Sequence, residues 1–405
     1  MENAEGPVTK KSKFSKLRRG AVQLVAAGAI FVVGLLVGQG NISFGSQQQA
    51  LNSQLPAQLD YTSVNELYQS LKENYNGKLT AAQLTNGLKE GLANAAGDPY
   101  TEYFSAKEAQ EFSDQLNNTF SGIGAELGKD ANDNLIVVSP IKGFPAEKAG
   151  LKAKDTIATI NGDSTQGYSI DKAVSLIRGK KGTTVKLQIV RAGVQLDFAI
   201  VRQDIKLPSV TSAILDGNIG YVQVSTFGED TASLVDAAAQ KFQQKHVKGV
   251  ILDLRGNPGG LVKAAISVSS QWLPEGSTIL QQKHGDTVIE QDNSQGEHRL
   301  LGVPTVVLVN GGSASASEIT AGALRDHNAA YVIGEKSFGK GVVQQLINFK
   351  DGSELKVTVA SWYRPNGQNI NHKGITPDKA IKLTDASILA GKDTQKQAAI
   401  DYLKK

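Results

Sequence analysis

The chain has 405 residues, of which 40% are hydrophobic, so it is long enough to bury more than one core. Its net charge of +4 is confined to the first 20 residues, which contain six Lys or Arg and two Glu. The rest of the chain is formally neutral, which argues against nucleic acid as a partner, because binding to phosphates needs a basic face. The sequence contains no cysteine, which excludes disulfides, thiolate zinc sites and a thiol nucleophile.

The basic tail, residues 1–20, runs directly into the apolar segment AVQLVAAGAIFVVGLLVG, residues 21–38. This length approaches the ~20 residues that cross a bilayer, so we predict a membrane anchor. Lys and Arg before the anchor predict a cytoplasmic tail, with everything after Gly38 outside the cell membrane. A cleaved signal peptide has the same layout and is the alternative, although no clear A-x-A site follows the apolar run.

The segments after the anchor differ in composition and in the spacing of their apolar residues, which predicts several domains. Residues 39–59 have the composition of a linker. Residues 60–115 are predicted to be mainly helical, since Leu67, Leu71 and Tyr75 share one helical face with their neighbours before GDPYTEYF interrupts the pattern.

Two larger domains and a final helix are predicted from the remaining sequence. Residues 116–205 contain short alternating strands such as TVKLQIVR between glycine turns, which indicates a compact β-rich domain. Residues 206–385 alternate apolar runs such as PTVVLVN with helical stretches, which is typical of an α/β domain around a buried sheet. Residues 386–405 are predicted to form a C-terminal helix.

The stretch GGSASASEIT, residues 311–320, lies where a predicted strand turns into a helix. This position places Ser315 at a helix N-terminus, where two interpretations compete. Ser315 and Glu318 fit the S-x-x-E pattern of a capping box. The same free N–H groups would also stabilise the oxyanion that forms when a serine attacks a carbonyl. Spacing alone does not choose between a helix cap and a nucleophile.

A second strand–turn–helix pattern, GVILDLRGNPGGLVKAA, has NPGG at its turn. Glycines there would let a substrate approach main-chain N–H groups that side chains would otherwise block. An ordinary α/β turn uses the same residues, so this motif by itself is a weak signal.

A general base for Ser315 is not evident among the five histidines, of which His327 is the nearest in sequence. Lys340 is the other candidate, since it lies between Gly339 and Gly341, where close backbone packing would take its ammonium out of water. Burial lowers a lysine pKa, and a neutral amine can accept a serine proton. The segment GEKSFGKG also spells the start of a phosphate loop, but Gly341 replaces the required hydroxyl and a strand-like run follows, so nucleotide binding is rejected.

Three motifs in order, DLRGNPGG, VNGGSASASEI and GEKSFGKGVVQ, closely resemble the carboxyl-terminal processing peptidases, also called tail-specific proteases. The resemblance covers roughly residues 60–380, including GDPYTEYF. It implies a multidomain α/β and β fold whose protease core has a sheet similar to crotonase and Clp protease. It also implies Ser315 as nucleophile, Lys340 as base and Gln344 as the residue that orients the lysine. No cofactor or metal is implied.

The resemblance extends to the oxyanion donors and to a PDZ-like domain at residues 116–205. The implied oxyanion donors are the N–H of Ala316 and that of Gly259 or Gly260. FSGIGAEL resembles the carboxylate-binding loop of PDZ domains, which makes this loop the candidate site for a chain's terminal carboxylate. Its candidate binding residues are Gly122, Ile123, Gly124 and Ala125. Arg178, at the end of a predicted helix, is the candidate for relaying occupancy to the protease core.

Together these observations predict a membrane-anchored serine endopeptidase with a Ser/Lys dyad. Its PDZ-like domain would select protein substrates with free, apolar C-termini, and its protease domain would face away from the cytoplasm. A homodimer formed through the last helix is a further prediction. A catalytically silent scaffold that binds C-termini is the alternative, and a crotonase-type hydratase would need an acid/base carboxylate pair that the sequence does not offer.

Overall fold

The computed structural model describes residues 56, 58–384, 387 and 391–405. The predicted basic tail and membrane anchor lie outside these residues. Across the described ranges no helix is long and apolar enough to span a membrane. The described chain divides into two compact units, one ending at Lys78 and the other beginning at Leu79.

The first unit contains one described helix, α1 (Thr62–Asn74), which agrees with the helical spacing of its apolar residues. Asp60 precedes this helix and accepts hydrogen bonds from both the N–H and the hydroxyl of Thr62, at 2.9 and 2.6 Å. These two bonds satisfy one of the free donors at the helix N-terminus.

The second unit opens with helix α2 (Ala81–Asn94), strand β1 (Glu102–Phe104) and helix α3 (Ala106–Leu116). Both helices begin with a capping box. Thr80 and Gln83 form the first, and Ser105 and Glu108 form the second. The segment that the sequence predicts to be helical therefore also contributes a strand, which GDPYTEYF supplies.

The β-rich domain follows as one sheet with a separate strand pair. Its elements are β2 (Thr119–Gly122), β3 (Ala125–Lys129), β4 (Leu135–Pro140), α4 (Pro145–Lys148), β5 (Thr156–Ile160), β6 (Asp163–Ser164), α5 (Ile170–Ile177), β7 (Thr184–Arg191), β8 (Val194–Val201) and β9 (Gln203–Lys206). The sheet order is β3-β4-β5-β7-β8, with β6 paired to β5, while β2 pairs with β9. Strand β3 is thus an edge strand. Alternate residues such as Val185, Leu187 and Ile189 point into the domain core, which explains their period-two pattern.

The core of the α/β domain is a sheet in the order β10-β11-β12-β15-β16-β19. These strands are β10 (Val210–Leu215), β11 (Ile219–Val224), β12 (Gly249–Asp253), β15 (Thr305–Val309), β16 (Tyr331–Gly334) and β19 (Lys379–Ala380). The pairs from β11 to β19 are parallel, and every residue of β12 and β15 is buried. A parallel sheet covered on both faces explains the continuous apolar runs in the sequence.

Helices cover the two faces of this sheet. They are α6 (Thr231–Gln244), α7 (Val262–Ser270), α8 (Ala316–Asp326) and the C-terminal α9 (Thr394–Leu403). The first three share a buried cluster with Leu252 and Val307, whereas α9 packs on the opposite face, where Ala399 meets Ile251 and Val306. The predicted C-terminal helix therefore packs against the sheet of its own chain, and dimerisation through it stays a prediction.

The second sheet of this domain contains the strand that follows Lys340. It has the order β1-β18-β13-β14, with β17 also paired to β18. Its remaining strands are β13 (Thr278–His284), β14 (Thr287–Asn293), β17 (Val342–Asn348) and β18 (Glu354–Tyr363). Strand β1 pairs antiparallel with β18, so GDPYTEYF is joined to the hairpin that begins just after Lys340.

Candidate active site

Ser315 lies on a tight turn between strand β15 and helix α8, as the sequence predicts. Its backbone has φ +53° and ψ −114°, a conformation that non-glycine residues seldom adopt and that surrounding contacts must hold in place. A serine on a strained strand-to-helix turn is also how hydrolases expose a nucleophilic hydroxyl. The turn places Ser315 directly before the N–H of Ala316 at the start of α8, and its side chain is only partly buried.

Ser315 and Glu318 form one of the two hydrogen bonds of a capping box. The Ser315 N–H donates to Glu318 Oε2 at 2.9 Å, which is the glutamate half of a capping box. The Glu318 N–H donates to the Ser315 carbonyl at 2.8 Å. Glu318 thus holds the backbone of Ser315, which is compatible with either role for the hydroxyl.

The serines on either side of Ser315 fasten its turn to the NPGG loop. Ser313 Oγ donates to the carbonyl of Leu254 at 2.8 Å, and Ser317 Oγ donates to that of Asn257 at 2.9 Å. Both serines are fully buried. The repeated serines of this motif therefore have a structural purpose, which spacing alone could not reveal.

Asn257 organises the NPGG loop, and the sequence analysis did not single it out. Its side chain is fully buried, donates to the Val224 carbonyl at 2.8 Å and accepts from the Gly259 N–H at 2.8 Å. Its own carbonyl accepts the Ala314 N–H at 3.0 Å. One asparagine thus connects strand β11, the glycine turn and the Ser315 turn.

The two glycines of NPGG differ in what their N–H groups do. The Gly259 N–H is occupied by Asn257, whereas within the described ranges the N–H groups of Gly260 and Ala316 donate to no protein acceptor. A Cβ on Gly259 would lie 2.8 Å from Ser315 Cβ, so the loop and the serine are in close contact. Of the two predicted oxyanion donors in this loop, Gly260 is therefore the one with a free N–H.

Gly260 also requires glycine for its backbone. Its φ is +139°, and a Cβ there would lie 2.3 Å from the Phe227 carbonyl oxygen. The chain makes this approach because the Phe227 N–H and carbonyl bond to Gly259 and Leu261 on either side, at 2.8 and 2.7 Å. The NPGG turn is thus held against the end of strand β11.

The loop that carries Lys340 is tied to the serine helix by the Glu318 carboxylate. Glu318 Oε1 accepts from Ser337 Oγ at 2.5 Å and from the Gly339 N–H at 2.7 Å. Oε2 accepts from the Lys340 N–H at 3.0 Å, besides the Ser315 N–H. Burial raises the pKa of this carboxyl, and the four donors oppose that shift. The same oxygen therefore bonds the backbones of Ser315 and Lys340.

The glycines around Lys340 are needed for close packing, as the sequence suggested. A Cβ on Gly341 would lie 2.5 Å from the Asn371 nitrogen, and one on Gly339 would lie 2.9 Å from the Gly374 nitrogen. Gly339 has φ +94°, which also favours glycine. The loop can therefore pass close to the neighbouring backbone and leave the Lys340 side chain partly buried.

The Lys340 ammonium lies 5.2 Å from the centre of the Tyr100 ring. Burial lowers the pKa of Lys340 and the charge of Lys356 lowers it further, while Asp98 and Glu318 raise it. No acceptor within hydrogen-bond or ion-pair distance of its Nζ is found among the residues that the structure describes, Ser315 included. The structure thus joins the backbones of the two residues but not the amine to the hydroxyl.

Gln344 lies on strand β17, four residues beyond Lys340. Its Nε2 donates to Thr358 Oγ1 on strand β18 at 3.3 Å. It makes no hydrogen bond to Lys340 in the described structure. The orienting role that the resemblance implies for Gln344 therefore stays a prediction.

The predicted carboxylate-binding loop joins β2 to the edge strand β3. Ile123 is buried, and Gly124 has φ +74°, with no room for a Cβ beside Phe144. Their carbonyls accept the N–H groups of Ala146 and Ile141, at 2.7 and 2.9 Å. Their own N–H groups, in contrast, donate to no acceptor in the described part of the chain. Ala125 starts β3, directly after this loop.

Arg178 lies beside the same loop, at the C-terminal end of helix α5. Its guanidinium stacks over the Phe120 ring at 4.6 Å, and its Cγ lies 3.8 Å from where a Cβ of Gly122 would be. No carboxylate pairs with it among the residues described. The structure therefore places Arg178 beside the predicted carboxylate-binding loop, and its role as a relay stays a prediction.

Comparison with protein families gives two matches along this chain. The family model "Peptidase family S41" matches residues 218–381, and the model "PDZ domain" matches residues 111–190. The first match contains the NPGG, Ser315 and Lys340 segments. The second contains the predicted carboxylate-binding loop and Arg178.

Individual relatives agree with these matches. The carboxy-terminal processing protease CtpA of Bacillus subtilis is 41% identical over 337 residues, which cover 83% of this chain and 72% of that protein. A CtpA-like serine protease of Staphylococcus epidermidis is 35% identical over 94% of this chain and 77% of its own length. A solved S41 protease structure from Bacteroides fragilis shares the fold, with a TM-score of 0.57 at 17% identity over 86% of this chain and 99% of that chain. The chain therefore belongs to the carboxy-terminal processing serine proteases of peptidase family S41 and carries a PDZ domain.

Proposed function

We propose that the chain is a membrane-anchored endopeptidase in which Ser315 and Lys340 form a catalytic dyad. The observation that supports this most directly is the position of Ser315, on a strained turn directly before the N–H of Ala316 and in close contact with Gly259 of the NPGG loop. Among the described residues, the N–H groups of Ala316 and of the next loop residue, Gly260, have no acceptor. Such donors stabilise the negative charge that develops on a carbonyl oxygen when a hydroxyl attacks its carbon.

The reaction follows from these groups. Ser315 Oγ attacks the scissile carbonyl carbon while the neutral Lys340 amine takes the hydroxyl proton. The oxyanion that forms accepts hydrogen bonds from the N–H groups of Ala316 and Gly260. Lys340 then gives the proton to the leaving amine. In the second half of the reaction, Lys340 takes a proton from water and the resulting hydroxide attacks the acyl carbonyl. As the bond between the acyl carbon and Ser315 Oγ breaks, Lys340 returns the proton to Ser315 Oγ. The lowered pKa of Lys340 favours this role, because more of the amine is neutral near pH 7.

Lys340 must move to reach Ser315, because its ammonium lies over Tyr100. The shared Glu318 oxygen fixes both backbones, so the required movement is confined to the long lysine side chain and its immediate turn. We therefore infer that the described arrangement represents a resting enzyme, in which the Lys340 amine and the Ser315 hydroxyl are apart.

The PDZ domain supports a preference for protein C-termini. The N–H groups of Ile123 and Gly124 and the Arg178 guanidinium, which have no acceptor or carboxylate partner among the described residues, provide donors for a terminal carboxylate. Strand β3 next to them is an edge strand to which an extended peptide can add. The domain would therefore bind the tail of a substrate and present upstream residues to Ser315.

The dyad predicts that Ser315→Ala and Lys340→Ala each reduce cleavage of an unfolded model protein to background, since one variant lacks the nucleophile and the other lacks the base. Cleavage is measured by the appearance of fragments on a gel or by mass spectrometry. Circular dichroism checks that both variants keep the fold. Turnover that survives in either variant would contradict the dyad. Substrate binding without any cleavage by the unaltered protein would favour the silent scaffold.

The role of Glu318 predicts that Glu318→Gln lowers kcat about 100-fold with little change in KM. The amide places a donor against existing N–H or O–H donors, and misplacing a catalytic group by ~1 Å has a cost of that order. Glu354→Gln is the matched control, because Glu354 is also buried but lies at the far end of β18, and it should leave kcat nearly unchanged. Equal losses in both variants would argue for a general effect on folding.

Recognition of the terminal carboxylate predicts a strong preference for a free C-terminus. Amidating the tail of the model substrate should reduce kcat/KM about 10- to 100-fold, since charge-assisted hydrogen bonds contribute roughly 1.5–3 kcal/mol. Arg178→Gln should remove most of the difference between the two substrates. Equal cleavage of the free and amidated substrates by the unaltered protein would reject this role for the domain.

The anchor is proposed from residues 21–38 and the basic residues before them. We expect the full chain to sediment with membranes and to resist extraction by high salt, whereas a chain starting at residue 46 should be soluble. In intact cells, an externally added protease should digest the part that follows the anchor. Recovery of a native chain that lacks residues 1–38 would instead identify this segment as a cleaved signal peptide.

A further inference from the structure

The GDPYTEYF motif, residues 97–104, has no assigned part in the reaction, yet it packs against the Lys340 region. Asp98 accepts the Tyr100 N–H at 3.1 Å and the Thr101 hydroxyl at 2.7 Å, which closes the turn. The Thr101 hydroxyl in turn accepts the Thr358 N–H of strand β18 at 3.2 Å. Thr358 also accepts a hydrogen bond from Gln344. The motif is therefore bonded to the β17–β18 hairpin, which begins just after Lys340 and contains Gln344.

The motif presents aromatic faces to two lysines of this region. The Tyr100 ring centre lies 5.2 Å from Lys340 Nζ, within the range of cation–π attraction. Lys356 Nζ lies 4.9 Å from the Phe104 ring centre and 2.8 Å from the Glu102 carboxylate. Lys356 therefore has a carboxylate partner, whereas the direct partner of the Lys340 ammonium among the described residues is the ring of Tyr100.

The charged groups that face Lys340 come from every element around it. Lys356 on strand β18 repels its ammonium, while Asp98 in the motif and Glu318 on helix α8 attract it. Both carboxylates are already occupied by hydrogen-bond donors of their own. The attraction of the Tyr100 ring, like that of the carboxylates, acts on the protonated amine, but it differs from theirs because it requires contact between the ring and the ammonium.

We propose that Tyr100 is a positioning residue that holds the Lys340 ammonium apart from Ser315 and sets the pH at which this lysine becomes the base. The inference rests on the proposed dyad. When the amine loses its proton, its attraction to the ring is lost, and the side chain is free to turn toward Ser315. Deprotonation and release are thereby the same event.

The test measures how fast a fluorophosphonate probe labels Ser315 between pH 5 and pH 10, using the full chain in detergent. This reaction reports the nucleophilicity of the serine without requiring a tail in the PDZ domain. Tyr100→Leu keeps an apolar side chain over the lysine but removes the ring. We expect the acid midpoint of the labelling rate to fall by about half a pH unit or more, so that labelling below the midpoint is roughly three-fold faster or more.

Two further variants separate the ring's electrostatics from its shape. Tyr100→Phe keeps the aromatic face and should retain the original midpoint. Pentafluorophenylalanine incorporated at position 100 keeps the shape but reverses the charge distribution of the ring, so it should lower the midpoint as Leu does. It also tests the proposal if the Leu variant does not fold.

Controls distinguish failure of this inference from failure of the dyad. Ser315→Ala should abolish labelling and Lys340→Met should slow it at every pH; if either does not, the dyad itself is wrong. Tyr363→Leu removes a comparable contact, in which Lys283 Nζ lies 4.4 Å from the centre of the Tyr363 ring. This variant should not move the midpoint. If the dyad controls hold but the Leu and pentafluorophenyl variants leave the midpoint in place or raise it, Tyr100 does not hold the lysine.

Discussion

The candidate active site depends on one buried carboxylate. Glu318 accepts four hydrogen bonds, from Ser315, Ser337, Gly339 and Lys340, and it lies on the helix that begins at the serine. A buried carboxyl is costly unless donors surround it, and here three of the donors are backbone N–H groups of the two reactive segments and the fourth is the Ser337 hydroxyl. The same four hydrogen bonds therefore stabilise the buried carboxylate and fix the geometry of the site. Loss of either loop would leave a buried group unsatisfied.

The sequence could predict much of the fold because its signals are local. Apolar runs in β12 and β15 and the alternation in β7 follow directly from burial on two faces or one. Ordered motifs likewise indicate which serine and lysine to consider. Strand β1 was harder to predict, since only its pairing with β18, about 250 residues later in the chain, makes three residues of GDPYTEYF a strand.

The parts of the site that sequence could not supply are long-range hydrogen bonds. Nothing in NPGG shows that Asn257 would occupy the N–H of Gly259 and so leave Gly260 as the free donor. Nor does the SASAS run show that its outer serines bond the carbonyls of Leu254 and Asn257, some 60 residues earlier in the chain. The position of the Lys340 amine over an aromatic ring is equally non-local. These contacts depend on which loops the sheet brings to one edge.

The edge position of strand β3 has a consequence for the choice of substrate. Its exposed side offers backbone donors and acceptors, and these can pair only with a chain whose own backbone groups are unoccupied. If a tail enters by adding to this strand, a segment already hydrogen-bonded in a helix or sheet is rejected whatever its side chains are. The domain would then act as a sensor of local unfolding, so that the conformational stability of a protein's last residues decides whether it is degraded.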